Sequence, residues 1–269
     1  MRRFNKYLKT LSLGIQTAIE YRFNFLLGIV SIVFPLTIQY FLWTAIYSSS
    51  SGNNVYGYTF SQMITYSILA ILVSKLVSSD FQWEVLDDIK NGGFNKFIIR
   101  PINYLLYRLF NFVGQKLFNF LMMFMIISVI LTFLTINLNL GISLTTVFLF
   151  ILSIFLAFFI NFFIYYAVSA MTFWISDASG LFAVISIVGN IVSGGIFPLD
   201  IFSSTVKNIF SMLPFQYTIF FPVNIINGKF TLNQIAFGLL MQCLWIIILL
   251  ISSKALWFLG MKKYTAIGG

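Results

Sequence analysis

Six apolar runs, each near or beyond the roughly 20 residues that carry an α-helix across a bilayer, follow one another along this chain, with the charged residues held to their ends and the stretches between them. The runs lie at about Phe25–Tyr47, Thr59–Ser79, Leu109–Thr135, Leu144–Phe173, Gly180–Phe197 and Gln234–Leu256. Hydrophobic residues make up 59% of the chain and charged residues 9%, against roughly 45–50% apolar residues in a soluble domain. The expected fold is an all-α polytopic membrane protein of six transmembrane helices. Six spans in 269 residues leave no room for a soluble domain of ~100 residues. Residues 1–269 are therefore read as a single transmembrane domain, and any soluble catalytic or energy-converting unit must come from another chain.

The basic residues orient the spans. All but Lys75, Lys207 and Lys229 of the 16 Lys and Arg fall in three places: Arg2 to Arg22, Lys90 to Lys116, and Lys254 to Lys263. Basic loop residues stay on the cytoplasmic side, so both termini and the central cluster are expected there. The net charge of +9 is then explained by anionic headgroups rather than nucleic acid. Lys75, at the end of a span, can snorkel to the interface.

Several chemistries are excluded by absence. The chain has no histidine, which removes HExxH zinc proteases and Ser-His-Asp hydrolases. Its one cysteine, Cys243, cannot form an internal disulfide. No G-x-x-x-x-G-K-[ST] sequence is present, so a P-loop for ATP must be sought elsewhere. No acid lies inside a span away from its ends, where proton-coupled carriers commonly place one. The basic N-terminus is followed by amphipathic residues without an A-x-A-like site, so no cleaved leader is expected.

Between the spans, Phe4, Leu8, Leu11, Ile15 and Ile19 recur at helical spacing among basic residues and predict an interfacial amphipathic helix within 1–24. The polar stretch SSSSGNNVYGY after the first span reads as a loop, and so does 136–143. In the charged segment 80–108, Phe81, Val85 and Ile89 recur every four residues beside Glu84, Asp87 and Asp88. This predicts a short cytoplasmic helix pressed into a partner's groove, ended by Gly92 and Gly93, with Arg100-Pro101 returning the chain to the interface. A bland alternative is a solvated connection whose charges only keep it inside. Residues 198–233, broken by Pro198, Pro214 and Pro222, predict short re-entrant or interfacial helices on the outer side. A full crossing there would carry Lys254, Lys262 and Lys263 to the wrong side.

The amphipathic N-terminal helix, the segment with Glu84, Gly92-Gly93 and Arg100-Pro101, and the stretch Gly194-Gly195-Ile196-Phe197-Pro198-Leu199 together resemble the permease subunits of ABC-2 type ATP-binding cassette exporters. In layout the chain is similar to the bacterial branch in which two permeases accompany one ATPase. The resemblance implies a homo- or heterodimer of six-helix permeases in a bacterial plasma membrane, with ATP and Mg bound by partner ATPases and no cofactor on this chain. It assigns ATPase coupling to Phe81, Glu84, Val85, Asp87, Asp88, Ile89, Gly92, Gly93 and Arg100, with Asp177 in the turn after the fourth span as a lesser contact. The interfacial helix corresponds to an elbow, and 198–233 to the external helices.

Gln39, Gln62, Asn161, Asn190 and Phe197 are candidate path-lining residues, with Gln242 beside them; hydrogen bonding between helices is the competing role for the polar ones. Gly189, Gly194 and Gly195 read as close-packing or flexing points, and Tyr165 and Tyr166 as cavity or interface aromatics. The cargo expected is a hydrophobic or amphipathic drug, lipid or peptide. A self-contained carrier or channel, an intramembrane enzyme and a non-transporting assembly subunit are the alternatives, and the sequence offers no coupling acids, filter or catalytic set for the first two.

Overall fold

The structure is a computed structural model that describes residues 2–50, 52, 54–100, 102–138, 143–175 and 177–264, with the backbone alone for 2–4 and 134–138. Pro101 and residues 139–142, half of the loop read at 136–143, lie outside the described residues, as do the side chains of Arg3 and Phe4; 136–138 are helical rather than loop. The described chain is all-α apart from one two-residue hairpin. In order come α1 (Arg2–Glu20), α2 (Arg22–Ser49), β1 (Asn54–Val55), β2 (Tyr58–Thr59), α3 (Phe60–Val77), α4 (Phe81–Lys90), α5 (Asn95–Ile99), α6 (Tyr104–Leu138), α7 (Leu144–Ser169), α8 (Ser179–Val192), α9 (Ser204–Ser211), α10 (Phe220–Ile226) and α11 (Leu232–Met261).

Among the described residues, five stretches are long and apolar enough to cross a membrane: α2, Phe60–Lys90 through α3 and α4, Tyr104–Phe133 of α6, Leu144–Phe173 and α11. The 31-residue stretch Phe60–Lys90 is interrupted at Ser78–Asp80, where α3 ends and α4 begins; the 18 residues of α3 alone give about 27 Å at 1.5 Å per residue, close to the ~30 Å bilayer core. Most of the charges of this stretch are gathered on α4.

The fifth apolar run forms a helix of only 14 residues, α8, shorter than the span read at Gly180–Phe197. Gly194 is the physical reason. Its φ of +79° lets the helix close in a Schellman motif, with the Gly195 N–H on the Asn190 carbonyl at 2.9 Å and the Gly194 N–H on the Ile191 carbonyl at 3.1 Å. Residues after Pro198 form the short helices α9 and α10 around a 3₁₀ turn at Pro214–Tyr217. The stretches Ser204–Ser211 and Pro214–Ile226 meet at 77°, and neither alone reaches a span's length.

Two further differences concern the connections. The loop after α2 contains the β1–β2 hairpin, turning at Tyr56 and Gly57 with φ of 53° and 75°, the paired positive values of a type I′ turn. Along α1, Leu11 and Ile15 are half-buried while Leu8 and Ile19 are exposed. The helix lies along α6 through Gly14 and Gly114; a Cβ on either would sit 2.4 or 2.3 Å from a backbone carbonyl of the other helix. Small residues let the two backbones touch, as in membrane helix pairs generally.

Two buried clusters organise the interior. One joins α3 to parts of α6, α7, the turns around α9 and α10 itself. The other is dense in aromatic residues and gathers α4, the α4–α6 connection, the first half of α6, the second half of α7 and Trp257 of α11. Phe120, Ile246 and Leu249 pack against both.

Candidate functional site

The second cluster seats α4. Phe81, Val85 and Ile89 are buried in it, with Phe81 against Phe112 at 5.2 Å and Phe162 at 4.8 Å between ring centroids. The stripe expected to enter a partner's groove therefore faces this chain's own helices, because the aromatic surfaces of α6 and α7 already complement it. Trp83, Glu84, Asp87 and Lys90 form the outward face.

Two of the acids are also turned to internal use. Arg108, 5% exposed, bonds the carboxylates of Glu84 and Asp88 through its two terminal nitrogens. It also donates from Nη2 to the Glu84 carbonyl at 3.1 Å and from Nε to Tyr104 OH at 2.9 Å. Tyr104 OH in turn donates to Asp88 Oδ2 at 2.8 Å, and Lys96 Nζ lies 3.4 Å from Asp88 Oδ1. A buried guanidinium held by two carboxylates one helical turn apart locks α4 to the start of α6. The pairs at 84 and 88 and at 104 and 108, each four apart, were the sequence signal for this lock.

Gly92 ends α4 with φ of +75°, and a Cβ on Gly93 would lie 2.8 Å from Asp88 Oδ1, so both glycines shape the turn around the acid. Arg100 is exposed beyond α5. Asp177 joins α4 directly: Lys90 Nζ is 3.4 Å from its Oδ2. Hydrogen bonds from the Ser179 hydroxyl and N–H, followed by Lys90, hold the Asp177 carboxyl at about 2, against an ordinary value near ~3.9. Trp174 and Ile175 stand exposed in the same turn. The exposed half of α4 and this turn thus make one charged and aromatic face.

Behind that face opens a cleft of about 540 Å³, within the range of small-molecule sites. The first turn of α4 forms one wall through Gln82 and Trp83, and α8 the other through Phe182, Ser186 and Asn190. Trp83 meets Phe182 edge-on at 5.4 Å, and Asn161, Tyr165 and Thr218 add polar groups. Asn161 caps the end of α3 by donating to the Val77 carbonyl, and Ser74 donates to Asn190 Oδ1 at 3.4 Å.

The other candidate path residues lie elsewhere. Gln39 Nε2 donates to the Ile196 carbonyl at 3.0 Å, and Tyr66 OH to the Gly194 carbonyl at 2.6 Å. These bonds satisfy carbonyls that the helix-ending turn frees. Gln62 and Asn227 exchange side-chain to backbone bonds at 3.3 and 3.2 Å. Phe197 packs on Trp43 at 6.1 Å, and Gln242 ties α11 to Ser153 and Tyr217. Tyr166 stacks on Trp257 at 4.7 Å in the aromatic cluster.

One polar cluster escaped sequence reading. Asp200 takes ion pairs from Lys207 and, at 3.1 Å, Lys229, with Tyr58 OH donating from the hairpin at 2.6 Å. Burial alone would raise the Asp200 carboxyl, yet the bonds from Lys207, Tyr58 and Lys229 and the Lys229 charge hold it below the ordinary value. The residues stand 142 and 29 positions from Asp200 at the farthest partners, beyond any local pattern.

A family model described as "ABC-2 family transporter protein" matches residues 33–268. It leaves out α1 and the first turns of α2. No curated protein matches the chain.

Proposed function

Since the chain belongs to the ABC-2 family of transporter proteins and is a multi-pass membrane permease, we propose that it exports a hydrophobic or amphipathic cargo, driven by a separate ATPase that docks on α4 and the turn at Asp177. Both termini lie in the cytoplasm, by the charge asymmetry of the loops, and the layout shared with the bacterial branch supports a bacterial plasma membrane. Six membrane-inserted elements form the unit, α8 being a short one; α9 lies on the outer side, and α10 re-enters there into the buried core. Two such permeases, identical or related, make the working transporter. ATP and Mg belong to the partner.

The observation that carries this reading is that one short helix serves both surfaces. The outer half of α4 presents Asp87 and Lys90 next to Asp177 and Trp174, while its first turn is a wall of the cleft. Phe81, Val85, Ile89 and the Arg108 lock make α4 move as a body with the start of α6. A displacement imposed at Asp87 therefore reaches Trp83 and Gln82 without loss in a loop. Because Trp83 touches Phe182, it would also shift α8 and change the width of the cleft. ATPase closure thus biases a two-state element, as coupling requires. The polar and aromatic lining suits an amphipath.

The test is purification of the full-length tagged chain from its native membrane in mild detergent, as wild type and with Asp87→Arg or Trp174→Ala. A P-loop ATPase should co-purify with the wild type, and its recovery should fall roughly tenfold in the variants, as for loss of a charged or aromatic interface contact. Recovery of the membrane chain itself should not change. Wild-type chain repeatedly free of ATPase would overturn the permease-partner reading; equal ATPase recovery in all three would remove α4 and its turn as the docking face.

A further inference from the structure

A second small site lies where α2, α3 and α6 converge. It is a pocket of about 210 Å³ faced by Asn24 from the first turn of α2, Lys75 and Ser78 at the end of α3, Asp80 just beyond it, and Lys116 and Asn119 of α6. Lys116 is the unusual member. It is 8% exposed, its amine donates to Ser78 Oγ at 3.3 Å and stands 5.7 Å from the Phe112 ring, and among the described residues no carboxylate comes within 4.0 Å of it. A buried ammonium whose one hydrogen-bond partner is a hydroxyl, with the Asp80 carboxylate across the pocket but not in contact, is costly unless an anion completes its shell. Arg108, two turns earlier on the same helix, shows the contrast with its two carboxylates.

We propose that this pocket binds the phosphate of an anionic phospholipid from the leaflet that the N-terminal half of α2 enters. Lys75 and Lys116 outnumber Asp80, which is itself exposed, so the pocket keeps one net positive charge. The Ser78 hydroxyl and the amides of Asn24 and Asn119 supply neutral donors for the remaining phosphate oxygens. At ~30 Å³ per water, the space is enough for a phosphodiester with a few waters. Beside it, Phe23, Leu26 and Leu27 of α2 are 65%, 52% and 67% exposed, an apolar surface for acyl chains to follow. Basic pockets between transmembrane helices are general sites for such headgroups. The bound lipid would tie α2 to α3 and α6 near the cytoplasmic lock on α4.

Native mass spectrometry of the purified full-length chain, equilibrated with phosphatidylglycerol or with phosphatidylcholine, tests this. One phosphatidylglycerol per chain should be retained in preference to phosphatidylcholine. Lys116→Gln should weaken retention roughly tenfold, as for loss of a charged hydrogen bond. Lys75→Gln, an exposed position that does not threaten folding, should weaken it roughly fivefold. Lys254→Gln, which removes an exposed charge on α11, is the control and should change nothing. Equal retention of the two lipids by wild type, full retention by both pocket variants, or an equal loss with Lys254→Gln would overturn the site. Displacement of the lipid by inorganic phosphate alone at matching concentration would overturn the lipid assignment in favour of a free anion.

Discussion

Removing the Asp88 carboxylate should unseat α4, and the size of the effect follows from what Asp88 holds. In Asp88→Ala, Arg108 keeps Glu84, but that carboxylate is 45% exposed whereas Asp88 is 10% and Arg108 5% exposed. Breaking a buried pair by deleting one partner costs about 3–5 kcal/mol, and Tyr104 OH loses its acceptor at 2.8 Å as well. Asp88→Asn retains an acceptor and should cost about 1.5–3 kcal/mol. Glu84→Gln disturbs a half-exposed pair and leaves the 3.1 Å bond to its own carbonyl, so about 1 kcal/mol or less is expected. Fluorescence-detected thermal unfolding in detergent should show the largest drop in apparent Tm for Asp88→Ala, on the order of 10 °C, a smaller one for Asp88→Asn and the smallest for Glu84→Gln. The double variant Asp88→Leu with Arg108→Leu should recover most of the loss, because no charge is then left buried. If Asp88→Ala and Glu84→Gln prove equally mild, the lock is not what fixes α4; if the double variant is worse than Asp88→Ala, the loss is packing rather than an orphaned charge.

At the α1–α6 crossing, Gly114→Ala should cost about 1–3 kcal/mol through overpacking, since its Cβ would meet the Leu11 carbonyl at 2.3 Å. In a Cys243→Ser background, a cysteine placed by Thr10→Cys, buried in the parent, should then react with maleimide, whereas Gly180→Ala, with open space around its Cβ, should leave it protected. Asp200→Asn should destabilise by about 1.5–3 kcal/mol and Lys207→Gln by about 1 kcal/mol or less, because Lys207 is 45% exposed; thermal unfolding of the two variants checks the order. For Asp177, the carboxyl sits at about 2 in the fold, below its unfolded value of ~3.9. Its contribution is thus full above the unfolded value and lost as pH falls through about 2. The Tm difference between wild type and Asp177→Asn should be flat from pH ~8 to ~5 and shrink only in stronger acid.

What could be read without coordinates was what depends on local sequence. A run of about 20 apolar residues has few alternatives to a membrane helix, because the backbone must satisfy itself where water is absent; α2, α3, α6, α7 and α11 follow from that alone. The helix at Phe81–Lys90 and its glycine stop were equally local. The tertiary structure decided which face of a helix meets what. An amphipathic stripe states that something covers it and not whether the cover is the same chain, so Phe81, Val85 and Ile89 pointed to a partner until α6 and α7 supplied the partner from within. Likewise Gln39 and Asn190 are both amides in apolar runs, and only the position of the carbonyls freed at Gly194 and Ile196 separates a structural bond from a cleft wall. Gly14 with Gly114, Tyr58 with Asp200, and Lys75 with Lys116 are far apart in sequence, and residues at such separations become neighbours only once the helices have chosen how to pack.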